Sequence, residues 1–172
     1  MNEIIHTIQP FSEVEEGICR LTKRLPDLPK QEVILTRLYL HIAKALREVA
    51  NRVLRPFDLN YVSFSTLMML FGSRDNVVNP STLCDVTGES RTNMTRIVDD
   101  LVARGYIKRH PSTDDRRRIV LTLSAKGENL VKKILPKLWE EQKAIYRNFG
   151  AEEKESLEEL LKKQLAAIET VR

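Results

Sequence analysis

Seven consecutive residues, Ser90-Arg91-Thr92-Asn93-Met94-Thr95-Arg96, gather three hydroxyls, a carboxamide and two guanidinium groups within about two helical turns. Those are the groups that read base edges in a major groove. Arginine pairs bidentately with guanine, asparagine with adenine, and serine or threonine bonds to either. A second cationic set follows at Arg116, Arg117 and Arg118, and guanidinium suits phosphates or a narrow minor groove. Little else in the chain could do chemistry. His6, His41 and His110 are scattered without metal-ligand spacing. Cys19 and Cys84 form neither a disulfide framework nor a paired-cysteine motif. There is no glycine-rich phosphate loop and no nucleophile beside a base. The expectation is a binding protein for a polyanion: no enzyme, no metal site, no cofactor.

Groups of this kind need a helix to hold them. Ser90 is a good N-cap, because its hydroxyl can accept from an unpaired amide of the first turn. Met94, Ile97, Val98, Leu101 and Val102 recur at three and four residues and define an inward face. Thr92, Asn93 and Arg96 fall opposite, with Thr95 alongside, and Gly105 can end the helix at positive φ. Upstream, Asn79-Pro80 opens a short helix through about Thr87, with Leu83 and Val86 inward, Cys84 on the apolar side and Gly88 as the turn. Helix, short glycine turn and helix make a helix-turn-helix. Downstream, Tyr106-Ile107-Lys108-Arg109 alternates as a strand, Pro111 to Asp115 reads as a turn, and Ile119 to Leu123 returns. This hairpin is a wing tipped with arginine, and Val77-Val78 can add a third strand. Arg96 is the candidate for a base contact, against a phosphate contact or a salt bridge with Asp99 or Asp100. Thr92 and Asn93 either read adenine or thymine or position phosphates.

The chain has 172 residues, 42% hydrophobic and 30% charged, which fits one domain with helical extensions. A net charge of +4 favours polyanions only mildly, so its placement decides more. Arginine concentrates near the recognition helix and wing, whereas Glu152 to Glu159 is acidic, which orients a protein on DNA. No stretch is long and apolar enough for a bilayer, and the N-terminus lacks a signal peptide's apolar core. A cytoplasmic protein with no membrane partner is expected.

Residues 1–30 form an extension punctuated by Pro10, Pro26 and Pro29. Thr7 to Pro10 reads as extended, and a helix follows with Val14, Ile18, Leu21 and Leu25 at helical spacing. From Gln31 to about Arg55 a long helix carries Ile34, Leu38, Ile42, Ala45, Leu46, Val49 and Val53 as its stripe. Beside the stripe runs a polar row, Arg37, His41, Lys44 and Glu48, read either as a solvated face or as the border of a cleft. Pro56 closes that helix, and Tyr61 to Phe71 resumes one with Phe64, Leu67, Met68 and Leu70 apolar. Ser124 caps a further helix with Leu130, Ile134, Leu138, Ile145 and Phe149 inward and Pro136 inside it. A last helix from Ala151 to about Thr170 carries Leu157, Leu160, Leu161, Leu165 and Ile168. The terminal helices hold more apolar stripe than a small winged lobe can cover, so a two-fold homodimer is expected.

The runs Thr95-Arg96-Ile97-Val98-Asp99-Asp100-Leu101, Arg104-Gly105-Tyr106-Ile107-Lys108-Arg109 and Asp114-Asp115-Arg116-Arg117, continuing through Leu121-Thr122-Leu123 to Gly127, resemble the MarR family of bacterial winged-helix repressors. Gln31-Glu32 and Leu35-Thr36-Arg37-Leu38 extend the likeness toward its multidrug-efflux regulators. It spans roughly Gln31 to Leu135. The resemblance implies a mainly α fold with a small β wing: an extension at 1–30, a helical dimerisation region at 31–57 and 125–172, and a winged helix-turn-helix lobe at 58–124. It implies a dimeric repressor on a palindromic, double-stranded operator, released by a small aromatic effector, phenolic or carboxylate. Ser90, Arg91, Thr92, Asn93, Thr95, Arg96, Arg116, Arg117 and Arg118 would then face DNA. Asp114 or Asp115 would stiffen Arg116, leaving Arg117 for the minor groove. His41, Lys44, Tyr61 and Arg118 match effector contacts, with Phe64 and Met68 as an apolar wall. Two alternatives stay open: an oxidation-sensing repressor working through Cys19, whose neighbours Arg20 and Lys23 would lower its pKa, and an unregulated architectural protein.

Overall fold

The computed structural model describes residues 9–74, 77–111 and 119–171. Seven helices and three short strands follow in the order α1 (Gln9–Arg24), α2 (Lys30–Leu54), α3 (Tyr61–Gly72), β1 (Val77–Val78), α4 (Pro80–Thr87), α5 (Arg91–Ala103), β2 (Ile107–Pro111), β3 (Ile119–Leu123), α6 (Ala125–Ile145) and α7 (Ala151–Val171). They divide into two units, 1–61 and 62–172. The mainly helical expectation with a small sheet holds.

In the first unit α1 lies against α2, burying Phe11 and Ile18. The Phe11 ring meets His41 edge-on, with centroids 5.9 Å apart at 74°. The expected extended start is corrected at Gln9 and Pro10, which begin α1. Proline is tolerated in a first turn because its missing N–H would have no intrahelical partner there. The apolar spacing is real, but Leu21 and Leu25 stay exposed. Of the expected α2 stripe, Ile34, Leu38, Val49 and Val53 are half-buried and Ile42, Ala45 and Leu46 exposed in the single chain; off the stripe Leu54 is buried, and Leu35 and Leu40 meet solvent. A 3-10 turn at Arg55–Phe57 holds Pro56, and Asp58 turns the chain at φ 51°. Asn51 Oδ1 then accepts from the Tyr61 amide at 2.7 Å.

The second unit is built around Phe64, Leu67 and Leu70 of α3, Leu83 of α4, and Met94, Ile97, Val98 and Leu101 of α5. Ile107 and Leu121 of the sheet, with Val131 and Ile134 of α6, are buried too. Each fully buried side chain of this size contributes about 1.5–3 kcal/mol relative to exposure. Two polar residues of α3 are buried, Ser63 and Thr66; the Thr66 hydroxyl donates to Val62 O at 2.9 Å and lies 3.9 Å from Met94 Sδ, joining α3 to α5. The antiparallel sheet has the order β1-β3-β2. Ile107 pairs with Leu123, Arg109 with Leu121, and Val78 also with Leu121, so the third strand joins the wing as expected.

Several side chains depart from expectation. Val86 is 66% exposed, because Leu83 fills the buried position of α4 and the last turn of so short a helix is open to solvent. Ile145 and Phe149 are exposed, since α6 buries nothing beyond Ile134. Helix α7 buries no residue at all within one chain.

The base of the wing is tightly joined to α6. Ser124 Oγ accepts from Gly127 N at 3.0 Å and donates to Gly105 O at 2.7 Å. Ser124 N donates to Tyr106 O at 2.9 Å. A Cβ on Gly127 would stand 2.3 Å from that same Tyr106 oxygen, so only glycine lets α6 come this close. Helix α3, strand β1, helices α4 and α5, and the β2–β3 hairpin together make a winged helix-turn-helix.

Candidate nucleic-acid interface

Helix α5 is fixed at both ends by local chemistry. Ser90 Oγ accepts from Asn93 N at 3.2 Å at the start. At the end, Gly105 sits at φ 73°, its amide reaching Val102 O at 2.8 Å while the Tyr106 amide reaches Leu101 O at 2.9 Å. Those two bonds are a Schellman closure, which satisfies carbonyls that a helix end otherwise leaves open. Met94, Ile97, Val98 and Leu101 anchor the inner face. Arg91, Thr92, Thr95 and Arg96 are exposed on the outer side, and Asn93 is half-buried. The six candidate residues from Ser90 to Arg96 therefore come together in the cap and first two turns.

Their side chains also bond to one another. Asn93 Nδ2 donates to Glu89 Oε2 at 2.5 Å, and Asn93 Oδ1 accepts from Arg96 Nη2 at 3.1 Å. The amide's orientation follows from its partners: a carboxylate only accepts and a guanidinium only donates. Thr95 Oγ1 donates back to Arg91 O at 2.9 Å. Neither acidic partner considered for Arg96 takes it. Asp99 Oδ1 instead meets Arg109 Nη1 at 2.6 Å, and Asp100 Oδ2 meets Arg104 Nη1 at 3.4 Å. Glu89 and the Asp99–Arg109 pair were not among the residues singled out from sequence. Glu89 does stand four residues before Asn93, a helical pairing distance. Asp99 and Arg109 lie on different elements, and no periodicity links them.

The wing's root is cationic. Lys126 Nζ and the Arg104 guanidinium each stand 5.0 Å from the Tyr106 ring centre, and Lys126 Nζ donates to Arg104 O at 2.8 Å. His110 Nε2 lies 3.1 Å from Thr122 Oγ1 across the β2–β3 ladder. The expected tip, with Asp114, Asp115, Arg116, Arg117 and Arg118, lies outside the described residues, as does His6. Beside α5 an open concavity of about 460 Å³ is lined by Met94, Val98 and Ile119 together with Cys84, Arg91 and Arg109. Cys84, on the apolar side of α4, is thus half-buried at a surface recess and not fully enclosed.

The proposed effector residues fall in both units. In the first, His41 and Lys44 share a concavity of about 670 Å³ with Arg37, against Ile18, Leu21 and Leu40. Lys44 is exposed and 3.9 Å from Glu48 Oε1. The Tyr61 ring lies under the Arg47 guanidinium at 5.5 Å. In the second unit Phe64 is buried and Met68 half-buried. The contribution of α1 to this concavity was not legible beforehand, because nothing in its stripe says which helix it meets. Cys19 is exposed on α1. Among the described residues no cluster of histidine, cysteine and carboxylate could hold a metal, and no helix is long and apolar enough to cross a membrane.

Residues 57–118 match the model of the MarR family. The chain is 33% identical to the transcriptional repressor MprA of Escherichia coli over 159 residues, 92% of this chain and 90% of that protein. It is 26% identical to the HTH-type transcriptional repressor YetL of Bacillus subtilis over 70% of this chain and 72% of that one. Among solved structures it resembles a mutant MarR from E. coli complexed with operator DNA, with TM-score 0.69 and 26% identity, covering 81% of this chain and 99% of that one. The S. aureus MepR–DNA complex has the same fold, with TM-score 0.69 at 19% identity over 77% of this chain and 95% of that one.

Proposed function

The chain belongs to the MarR family, and from that footing we propose that it is a transcriptional repressor, not an enzyme, whose helix α5 enters the major groove of operator DNA. The observation that carries this reading is α5 itself. Its hydrogen-bonding side chains project outward from the capped N-terminal half, while four buried side chains hold the inner face and a Schellman closure fixes the far end. A reading helix needs that division of labour. Ser90, Arg91, Thr92, Asn93, Thr95 and Arg96 are assigned to this face, and Arg116, Arg117 and Arg118 to the wing. Winged-lobe residues 58–124 do the reading in this proposal, and residues 31–57 and 125–172 dimerise.

The dimer is proposed because α2 and α7 leave their apolar ladders open in one chain: Leu40 and Ile42 on the first, Leu160, Leu161, Leu165 and Ile168 on the second. Exposed leucines and isoleucines recurring at helical spacing, as Leu161, Leu165 and Ile168 do, mark an interaction face. Two-fold symmetry would set two reading helices about 34–36 Å apart, matching an inverted-repeat operator in the cytoplasm. A small aromatic acid is the proposed effector, held by His41, Lys44 and Tyr61 with Phe64, Met68 and Arg118. Release requires that it bind the two helix spacings with different affinity.

Selection of duplexes from a random pool, followed by gel-shift titration with a panel of phenolic and aromatic carboxylic acids, tests the reading. An enriched palindrome that the acids release is the expected result. Enrichment with release by peroxide, lost in Cys19→Ser, moves the trigger to the exposed Cys19. Enrichment indifferent to both leaves an architectural protein, and no enrichment overturns the proposal.

A further inference from the structure

Resting on the DNA-binding reading, we propose that Glu89 and Asn93 are positioning residues that aim Arg96, and that Asn93 does not itself read a base. Asn93 is held twice. Its backbone amide is spent on the Ser90 cap, and its carboxamide is spanned between Glu89 and Arg96. An asparagine that reads adenine needs both ends of that amide for the base. Here the donor end is on a carboxylate at 2.5 Å and the acceptor end on a guanidinium at 3.1 Å; one hydrogen and one lone pair remain, but the amide cannot turn to a base without giving up these partners. Arg96 gives up far less. One Nη2 hydrogen goes to Asn93, leaving Nε, Nη1 and the second Nη2 hydrogen for guanine O6 and N7. An exposed arginine ordinarily loses much rotamer freedom when it docks. Fixing its guanidinium beforehand removes part of that cost, and does so only for a base at the right place.

Glu89 adds a second effect through its charge. A carboxylate next to the reading face repels phosphates whatever the sequence, so it weakens indiscriminate binding. The hydrogen bond and the charge separate in Glu89→Gln, whose side-chain oxygen still accepts from Asn93 while the charge is gone.

The experiment uses the full chain and a duplex enriched by the parent from a random pool, with each base pair of the half-site then exchanged in turn. The base pair whose discrimination falls in Arg96→Ala marks the arginine's position. Glu89→Ala and Asn93→Ala should each lower discrimination at that same pair by about tenfold, within the range of a bidentate contact, and leave the other pairs unchanged. The double variant should lose no more than either single one, because both act on one guanidinium. Glu89→Gln should keep the discrimination and bind scrambled duplex more tightly at low salt. The proposal is overturned if Asn93→Ala loses discrimination at a different base pair, if Glu89→Ala discriminates like the parent, or if Glu89→Gln fares as badly as Glu89→Ala. A parent that enriches no sequence would remove the DNA-binding reading itself, an outcome decided before any variant is made.

Discussion

Arg109 on β2 and Asp99 on α5 meet at 2.6 Å, so the wing's first strand is tied to α5 by a charged contact as well as by packing. Both side chains are substantially exposed, at 39% and 54%. Water and salt then screen the pair, and its value lies in orientation more than in stability. A double-mutant cycle with Asp99→Ala and Arg109→Ala, followed by urea unfolding, should give a coupling of about 0.2–1 kcal/mol that fades at high salt. A salt-insensitive coupling of several kcal/mol would show that the contact is shielded from solvent.

Arg96→Ala should weaken binding to the selected duplex by about 1–3 kcal/mol and relax one position of each half-site. Competition titrations against a scrambled duplex check this. An equal loss on both duplexes would reduce Arg96 to a phosphate contact.

Gly127→Ala should destabilise the second unit by about 1–3 kcal/mol, as overpacking does, because its Cβ would stand 2.3 Å from Tyr106 O. In a chain of this length that lowers the thermal midpoint by several degrees. An unchanged midpoint would mean that the Tyr106 backbone moves aside freely.

Stopping the chain after Gly150 removes Leu160, Leu161, Leu165 and Ile168, and the protein should no longer sediment as a dimer. A soluble dimeric truncation would place the interface on α2 and α6 alone.

Lys44→Ala and Tyr61→Phe should raise the concentration of aromatic acid needed for DNA release while leaving acid-free affinity within about threefold, under 1 kcal/mol. The Lys44 ammonium would compensate the desolvated carboxylate, and the Tyr61 hydroxyl would bond to it. Variants that release like the parent would move the effector elsewhere.

Helix α5 was legible in sequence almost to the residue, because its signals are local: a capping serine, an inward row at three and four residues, and a glycine at the left-handed stop. The wing's strands were legible for the same reason, and so was the set of residues gathered on the outer side of α5's first turns. How those side chains bond to each other was not. The Asp99–Arg109 contact joins two elements that no period relates. Val86, Ile145 and Phe149 went astray for another reason: an apolar stripe says which face avoids water, not whether anything arrives to cover it.

Ser124 is a cap, a strut and a strand end at once, holding Gly105 O, Gly127 N and Tyr106 O within 3.0 Å. The first turn of α6 is therefore pinned at the root of the reading helix, while its far half buries nothing. That makes α6 a tiller. Its 21 residues, Pro136 among them, span roughly 32 Å, so a sideways displacement of ~2 Å at the far end corresponds to a tilt of about 4°. The Ser124 contacts beside Gly105 and the foot of α5 are the fulcrum of any such swing.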